Sequence, residues 1–447
     1  MLETKLKYTA KSFLDQARGE EIQIISHFDT DGITSATIMI LALKQIDQKF
    51  SVKIVKSLTK DIINSLDENK INIFLDLASG SLKHFKKRNF RKIYIIDHHE
   101  IHEEIPENIE IVNPQLFEKQ KISSSSLTYL FAREIDEKNK DLAKLAILGM
   151  IGDQMEKDID SLNHGILEDG EIKRKRGLLI YPSTKPLNRV LEYSSNPFIP
   201  GVTGNMQGVV ELLREAKINP EKGKYKSLIE LTPQEMENLV TSIILRNPKK
   251  KPNQMIGNLF LIKLFGKLED AREISAKINA CSRDGNPGVA IGFCMENRES
   301  KKRIESIHMK YKQRLISGIK FAEEAEKIIG EGYVILNAKD KIKDTMIGTI
   351  TSIIANSPLY KKGTILISLA QDKENDMIKI SARSVGKNGR NVLEVLSKVM
   401  NNFEGEVGGH EFAAGCSIKK EQIENFILAI KKEFELETIK IKTPRKE

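Results

Sequence analysis

The stretch at residues 22–32, IQIISHFDTDG, decides the fold, because an apolar run leads directly into a cluster of histidine and aspartate. Three further apolar runs end in the same way. They are 71–75 before Asp76, 92–96 before Asp97-His98-His99, and 145–152 before Asp153. Ligand-type side chains at successive strand ends are typical of an open α/β sheet, whose sites lie at the carboxyl ends of its strands. We therefore expect the four clusters to meet at one edge of an N-terminal sheet.

Apolar strand patterns and amphipathic helix patterns alternate along the first part of the chain, which predicts a parallel sheet with covering helices. The predicted strands are 22–27, 52–57, 72–77, 92–97 and 109–113, and the predicted helices are 32–46, 60–68, 81–89, 124–136 and 141–155. A second, smaller α/β unit is predicted with strands 332–338, 364–370, 376–383 and 414–418 and helices 345–356, 390–402 and 420–434.

A chain of 447 residues is too long for one core, so we expect several domains. The predicted segments are the N-terminal α/β domain at 1–158, a mostly helical insertion at 159–295, a connecting helix at 296–330, the C-terminal α/β domain at 331–436 and a basic tail at 437–447. Within the insertion, 186–275 reads mostly as helix, and a further helix is predicted at 268–281. We expect a cleft between the two α/β domains.

The formal net charge of +9 permits nucleic-acid binding, although a solvated lysine-rich surface would give the same charge. The longest apolar stretches are too short to span a bilayer, and the N-terminus has no apolar signal region. The three cysteines lie far apart and form neither a disulfide framework nor a zinc pattern. These features favour a cytoplasmic protein without a membrane partner.

The clustered residue types predict a site for two divalent cations. Residues two apart at a strand end point to the same side, so His27, Asp29 and Asp31 are expected to converge. Asp76 is expected to bridge the cations, since a carboxylate has two oxygens to share. Carboxylates and imidazoles without thiolates favour Mn²⁺, with Mg²⁺ or Co²⁺ as alternatives. Such a site suits the hydrolysis of phosphoesters or phosphoanhydrides.

Each cluster taken alone has an ordinary structural explanation. A DxD sequence is commonly a loop or a helix cap, a His-His pair is commonly surface, and Asp76 could cap a helix. The four serines at 123–126 favour a helix N-cap, with phosphate binding as the alternative. Four such clusters in order at strand ends favour a metal site over four unrelated caps, loops and surface residues. Gly32 is expected to let the chain turn into a helix, and Gly149 and Gly152 to allow close approach near Asp153.

These motifs resemble the DHH phosphoesterase superfamily. HFDTDG at 27–32 resembles its first motif, LDL around Asp76 the second, DHH at 97–99 the third, and GDQ at 152–154 the fourth. Residues 408–415, GGHEFAAG, resemble the glycine-rich signature of the DHHA1 domain, with Val407 in place of its first glycine. Residues 279–283, NACSR, resemble the Asn-Ala-x-Gly-Arg element of RecJ-type nucleases, with Ser282 in place of glycine.

The resemblance implies a DHH domain and a smaller substrate-binding DHHA1 domain, and it assigns residue roles. One Mn²⁺ would be held by His27, Asp29 and Asp76, and the other by Asp31, Asp76, His98 and Asp153. Asp97, His98 and His99 would serve catalysis, with His99 on the scissile phosphate. The nucleic-acid backbone would contact Arg283, Arg383, Gly408, Gly409 and His410. An arginine fork matches phosphate oxygens, and paired glycines let backbone N–H groups approach an anion.

Among DHH proteins, archaeal RecJ-like nucleases, including the GINS-associated nuclease, are similar in size. The resemblance therefore implies a Mn²⁺-dependent exonuclease for single-stranded DNA or RNA in replication or repair, with 5′→3′ polarity the weaker inference. One alternative is a phosphodiesterase for short oligoribonucleotides or cyclic dinucleotides. Another is a replisome scaffold subunit that binds GINS or other replicative helicase components.

Overall fold

The computed structural model describes residues 2–86, 88–101, 103–117, 120–157, 159–194, 197–246, 255–357, 359–373, 376–386, 389–405 and 407–442. Its contacts divide the chain into two compact units. The first comprises 1–186, 226–231 and 256–310, and the second comprises 187–225, 232–255 and 311–447. Among the described residues, no helix combines the length and the apolar character needed to cross a bilayer.

The first unit is built on the predicted five-stranded parallel sheet. Its strands are β1 (Ile22–His27), β2 (Phe50–Val55), β3 (Ile71–Leu75), β4 (Lys92–Ile96) and β5 (Ile109–Val112), in the order β2-β1-β3-β4-β5. All five residues of β3 are buried, as expected for a parallel sheet covered on both faces. The parallel-sheet prediction is thus confirmed.

Helices cover the two faces of this sheet unequally. One face packs in a large core formed with α1 (Leu2–Ala17), α2 (Thr30–Gln45), α4 (Ser124–Ile135) and α5 (Ala143–Gly152). The other face packs in a smaller core with α3 (Lys60–Asn64) and a 3₁₀ helix at Ser79–His84. The helix predicted at 81–89 is therefore wrong in type and position, because the chain forms a six-residue 3₁₀ helix at Ser79–His84 that begins three residues after Asp76.

The middle of the chain contains a sheet that the sequence did not predict. Its strands β6 (Lys173–Leu178), β7 (Ile256–Leu264) and β8 (Lys267–Asp270) are antiparallel, in the order β6-β7-β8. The helices of this region are α6 (Ser161–Asp169), α7 (Leu187–Glu192), α8 (Met206–Glu215), α9 (Pro233–Arg246), α10 (Ala271–Arg283), α11 (Pro287–Cys294) and α12 (Arg298–Glu324).

Two predictions for this region need correction. The mostly helical pattern at 186–275 gives way to strands from Ile256 onward. The helix predicted at 268–281 begins at Ala271, because β8 runs to Asp270 and that side chain caps the helix. The first four residues of β6 are cations, so the strand carries no apolar alternation in its sequence.

The second unit contains a six-stranded mixed sheet in the order β13-β14-β12-β11-β10-β9. Its elements are β9 (Ile328–Gly330), β10 (Tyr333–Asn337), α13 (Asp344–Ala355), β11 (Ile365–Asp372), β12 (Met377–Ser384), α14 (Val392–Met400), β13 (Gly408–His410), β14 (Ala413–Lys419) and α15 (Ile423–Lys442). One face packs on α13 and the other on α14 and α15. The predicted smaller α/β domain is confirmed, with β9 and β13 as unpredicted edge strands.

Candidate metal centre

Three neighbouring strands deliver their ligand-type residues to the same edge of the first sheet. His27 is the last residue of β1, Asp76 follows β3, and Asp97 follows β4. The backbone of Asp76 has a φ of 60°, in the left-handed region that aspartate tolerates better than most residues. The chain therefore turns sharply at Asp76 and leaves its carboxylate at the strand end.

The first motif converges through the start of a helix and not through strand alternation. Asp29 is the N-cap of α2: its Oδ1 accepts a hydrogen bond from the Gly32 amide at 3.1 Å, and its Oδ2 lies 3.1 Å from His27 Nδ1. α2 already begins at Thr30, before Gly32. A Cβ on Gly32 would lie 2.2 Å from the carbonyl oxygen of His27, so close approach, and not a turn, requires glycine here.

Asp31 is fully buried and faces the N-terminus of α4. Its Oδ2 accepts from the Ser124 amide at 2.7 Å, and its Oδ1 accepts from the Ser125 amide at 3.0 Å. Helix N-termini stabilise carboxylates in this way. Ser123 caps α4 by accepting from the Ser126 amide at 3.2 Å. The cap interpretation of the serine run therefore holds for Ser123, and two serine amides hold Asp31.

Gly149 is required where α5 crosses the site. A Cβ on Gly149 would lie 2.1 Å from Ser125 Oγ and 2.3 Å from Asp31 Oδ1. α5 ends at Gly152, and Asp153 follows as its C-cap. A Cβ on Gly152 would lie 2.8 Å from Thr30 Cβ. Close packing of α5 against α2 thus carries Asp153 to the sheet edge.

Asp76 lies between two imidazoles with its two oxygens facing different ones. Its Oδ2 is 3.3 Å from His27 Nδ1, and its Oδ1 is 3.5 Å from His98 Nε2. His98 Nε2 is also 3.3 Å from Asp153 Oδ2. Three groups have ligand atoms within 4.8 Å of one another and could each hold a cation: His27, Asp29 and Asp76; Asp31, His98 and Asp153; and Asp76, His98 and His99.

Asp97 orients the histidine pair. It is fully buried, and its Oδ1 lies 2.7 Å from His99 Nδ1 and accepts from the His98 amide at 2.8 Å. Its Oδ2 accepts from the Ser79 amide at 3.0 Å. Asn113, at the end of β5, donates to Ser79 Oγ and to the His99 carbonyl, both at 2.9 Å. The sequence analysis did not predict roles for Asn113 and Ser79. The one available signal was that Asn113 is a polar residue directly after strand β5.

The electrostatics of the centre call for positive charge. Burial, and then repulsion from Asp31 and Asp29, raises the pKa of Asp153 to about 10. The pKa of Asp76 is raised well above its usual range for the same reasons. Asp76 Oδ1 is buried and has no hydrogen-bond partner among the described residues. Two divalent cations would remove the repulsion and satisfy this oxygen, so the donor set fits such cations.

Two further carboxylates of the centre, Asp97 and Asp29, have pKa values displaced in the opposite direction. Burial opposes ionisation of Asp97, but its hydrogen bond and charge interaction with His99 outweigh burial and hold its pKa below the usual range. His27 does the same for the pKa of Asp29. The hydrogen bond that His99 Nδ1 donates to Asp97 raises the pKa of His99. The centre therefore contains both ionised carboxylates and carboxylates that carry protons when no cation is bound.

Arg283 lies beside the centre in the same unit. Its guanidinium is 5.3 Å from the ring centroid of Phe28, and its Nε donates to Asn279 Oδ1 at 3.0 Å. The Phe28 ring meets the ring of His27 edge-on at 4.9 Å. One aromatic side chain thus joins Arg283 to a candidate metal ligand. The attraction between a cation and an aromatic face is modest in energy, but it keeps the cation in a defined position.

The remaining predicted phosphate contacts lie together in the second unit. Arg383 on β12 and His410 on β13 both pair with Ala413 of the strand between them, so they share one row of the sheet. Arg383 Nε donates to Ser352 Oγ at 2.8 Å. Gly408, Gly409 and His410 are exposed. Gly409 has a φ of 141°, and a Cβ there would lie 2.3 Å from the Ala413 carbonyl oxygen, so glycine is required.

Family models match most of these regions. The "DHH family, N-terminal domain" matches residues 21–150, the "DHH-CID domain" 180–259 and the "DHHA1 domain" 330–436. An uncharacterized protein of Methanocaldococcus jannaschii is 30% identical over 424 residues, which cover 91% of this chain and 91% of that protein. The chain belongs to the DHH/DHHA1 phosphoesterase superfamily.

Relatives with known names support this placement. The single-stranded-DNA-specific exonuclease RecJ of Haemophilus influenzae is 22% identical over 447 residues, which cover 91% of this chain and 65% of that protein. The chain thus spans just under two thirds of that RecJ-like relative. A crystal structure of exonuclease RecJ bound to manganese matches with a TM-score of 0.60 at 16% identity, covering 98% of this chain and 95% of that one.

The same fold occurs in a structure with another name. CDC45 from Entamoeba histolytica matches with a TM-score of 0.70 at 12% identity, covering 97% of this chain and 99% of that chain. At these identities the structures demonstrate the RecJ-like fold. The activity of this chain has to be inferred from its own residues.

Proposed function

We propose that this protein is a Mn²⁺-dependent exonuclease that hydrolyses phosphodiester bonds in single-stranded DNA, and in RNA as a second substrate, with Mg²⁺ or Co²⁺ as substitute cations. The observation that carries the proposal is Asp76, whose two oxygens face His27 and His98 and so join two ligand groups. Membership of the phosphoesterase superfamily and the named RecJ relatives support phosphodiester chemistry. Replication or repair is the setting that this activity suits.

The proposed ligand sets follow the motif order. His27, Asp29 and Asp76 would hold one cation, and Asp31, Asp76, His98 and Asp153 the other. Bound cations would supply Lewis acidity to the phosphate oxygens and acidify a water molecule. Asp97 keeps the His99 ring oriented through its 2.7 Å contact. The raised pKa of His99 then favours an imidazolium that can donate a hydrogen bond to a phosphate oxygen.

Backbone-binding roles are proposed for five residues outside the metal centre, namely Arg283, Arg383, Gly408, Gly409 and His410. Arg283 lies in the same unit as the centre and is connected to it through Phe28. Arg383 and His410 share a row of the second sheet, and the glycines leave the backbone beside them uncovered. Arginine and backbone N–H groups are common partners of phosphate oxygens.

Digestion of end-labelled single strands tests the proposal. Wild-type protein with Mn²⁺ is expected to release mononucleotides from linear single-stranded DNA and to leave a circular strand uncut. Asp97→Ala and Asp153→Ala are expected to lose at least about a hundredfold in rate, since each removes a group from the centre. Asp15→Ala, which removes an exposed carboxylate on α1, is the matched control and keeps full activity. Equal cleavage by all four proteins contradicts the site assignment.

The direction of digestion is proposed as 5′→3′. Strands blocked at the 5′ end are then expected to resist, while strands blocked at the 3′ end are degraded normally. Degradation of both at the same rate removes the polarity proposal and leaves the hydrolytic one intact. Activity confined to substrates of two to five nucleotides would instead favour the alternative of an oligoribonucleotide or cyclic-dinucleotide phosphodiesterase.

A partnership with GINS or other replicative helicase components is proposed in addition to the enzymatic role. The shared fold with the CDC45 structure is compatible with it. The full set of carboxylates and imidazoles at the centre argues against a purely structural subunit, since a scaffold has no need of this repulsive cluster. Failure of purified GINS to co-elute with the protein removes this partnership.

A further inference from the structure

Four successive cations form the first two thirds of strand β6. Lys173, Arg174, Lys175 and Arg176 are all exposed, whereas Gly177 and Leu178 are buried. β6 is an edge strand of the three-stranded sheet. Charged residues, lysine above all, often protect an edge strand from pairing with another chain. One or two such residues serve that purpose, and a run that includes two arginines calls for a further explanation.

The charge of this run is not compensated within the described part of the chain. Across from it, β7 places Leu261, Phe260, Leu259 and Asn258, none of them acidic. Lys175 donates to a backbone carbonyl, that of Ile229, and none of the four cations forms an ion pair with a described residue. Other cations around the same sheet are paired, as in Arg272–Asp270 at 3.4 Å and Lys185–Glu269 at 3.7 Å.

The strand conformation spaces the four cations along the sheet edge in two pairs. A strand rises about 3.3 Å per residue and alternates its side chains between two faces. The two lysines therefore point to one side of the edge and the two arginines to the other, with about 6.6 Å between the members of each pair. Exposed cations spaced along an extended edge strand suit a linear polyanion better than a compact anion.

The cationic strand belongs to the same compact unit as the metal centre. Its sheet continues from β8 directly into α10, since Asp270 ends the strand and caps the helix. α10 in turn packs on the centre: Thr30 Oγ1 donates to the Ser275 carbonyl at 3.0 Å. The last residue of α10 is Arg283, over Phe28. The row of cations is therefore held at a fixed place relative to the ligand residues.

We propose that the exposed cations of β6 bind the phosphate backbone of single-stranded nucleic acid outside the metal centre. This inference rests on the proposed function, because it takes a single strand to be the substrate. Contacts to phosphate carry no base preference, so the surface adds affinity for long strands without adding sequence specificity. Short oligonucleotides that fill only the metal centre gain nothing from it.

The test compares two variants that each lose four positive charges. One changes Lys173, Arg174, Lys175 and Arg176 to Gln. The matched control changes Lys7, Lys11, Arg18 and Lys138 to Gln, which are exposed cations of the same unit. Binding of a labelled 30-nucleotide strand is measured by fluorescence anisotropy at several salt concentrations, in EDTA so that no turnover occurs.

The β6 variant is expected to bind the strand at least about tenfold more weakly at physiological salt, and its slope of log K against log salt falls by about 0.7 per lost contact. The control variant keeps the wild-type slope. Equal weakening by both variants shows a general charge effect and overturns the inference. Retention of strand binding by the β6 variant, with loss of binding to a polyglutamate peptide, assigns the surface to an acidic protein and also overturns it.

A separate measurement keeps this result apart from the proposed function. Turnover of a trinucleotide by the wild-type protein with Mn²⁺ tests the metal centre without the β6 surface. If the wild type hydrolyses the trinucleotide while both variants bind the long strand alike, only the inference on β6 fails. If the β6 variant alone loses strand binding but the wild type hydrolyses nothing, the proposed function fails and the surface stands.

Discussion

At single positions of the centre, the available space restricts the residue type as much as the chemistry does. Gly149 has no room for a side chain, because a Cβ would meet Ser125 Oγ at 2.1 Å and Asp31 Oδ1 at 2.3 Å. Gly149→Ala is expected to lower the free energy of unfolding by about 1–3 kcal/mol and to abolish most activity, since Asp31 must move. Gly165→Ala is the control: a Cβ there meets nothing within 4 Å, and this helical position gains slightly from alanine.

Thermal unfolding and nuclease assays on the two alanine variants check this prediction. A Gly149→Ala protein with wild-type stability and rate would mean that α5 lies further from Asp31 than the distances indicate. The sequence showed that Gly149 stands near Asp153, but it did not show which side chains it would meet, because Ser125 and Asp31 are distant along the chain.

The buried carboxyls predict how stability depends on pH when no cation is bound. The folded-state pKa of Asp153, about 10, lies above its ordinary value of 3.8, so the folded protein holds more protons between these values than the unfolded chain. The stabilising contribution is complete below about pH 4 and is lost as the pH rises toward 10. Asp76 and His99, whose pKa values are also raised, act in the same direction.

Urea unfolding in EDTA at pH 6, 7.5 and 9 measures this dependence. Stability is expected to fall across the series in the wild type and to fall less in Asp153→Asn, which cannot ionise there. Saturating Mn²⁺ should flatten the wild-type profile, because cation binding displaces the protons. A wild-type profile in EDTA that rises with pH would contradict the assigned directions.

At the scale of elements, the helix starts determine where ligands lie. α2 begins at Thr30 with Asp29 as its cap, and α4 begins at Ser124 with Ser123 as its cap. The amides of Ser124 and Ser125, 93 and 94 residues away in sequence, hold Asp31. The cap of α4 therefore stabilises a helix and aims its first amides at a candidate metal ligand.

Removing that cap is expected to affect both stability and cation binding. Ser123→Ala should lower the free energy of unfolding by about 0.5–2 kcal/mol and weaken Mn²⁺ binding, while Ser123→Thr restores most of both. Asn205→Ala removes the cap of α8 in the other unit and is the control. It should destabilise that helix without changing the Mn²⁺ affinity measured by calorimetry. Equal Mn²⁺ affinities in Ser123→Ala and wild type would show that the α4 cap does not contribute to cation binding.

Strand prediction succeeded where a buried strand has an apolar run in its sequence, and it failed where the strand is exposed and has no such run. The central strands β3 and β4 of the first sheet are buried on both faces, so their apolar runs identify them. β6 pairs as a strand although its first four residues are exposed cations. Its place is set by hydrogen bonds to β7, which lies about eighty residues later, and no local pattern reports such a partner.

For the whole molecule, all candidate ligands lie in the first unit and the predicted DHHA1 contacts lie in the second. Cation binding should therefore stabilise the first unit selectively. At a Mn²⁺ concentration of a hundred times Kd the gain is about 2.7 kcal/mol, since only the folded unit binds. Hydrogen exchange on the full chain, with and without Mn²⁺, should show slower exchange in β1, β3, β4 and α5.

The second unit supplies the internal reference for that experiment. Exchange in β11 and β12 is expected to change little, because neither strand contributes a candidate ligand. Asp76→Asn, which removes the shared carboxylate, should abolish the protection in the first unit. Equal protection of both units by Mn²⁺ would indicate cation binding outside the proposed centre.

The sequence by itself determined the two α/β units, the order of the four motifs and the candidate ligands, because apolar runs and the polar residues that end them are local features. Only the tertiary structure decided which amides bind Asp31 and which side chains leave no room for a Cβ at Gly149. It also decided the support of Asp97 by Ser79 and Asn113, and the pairing of β6 with β7. Each of these depends on hydrogen bonds or close contacts between residues far apart in the chain. Such contacts arise only when the packed sheet and helices bring distant segments together.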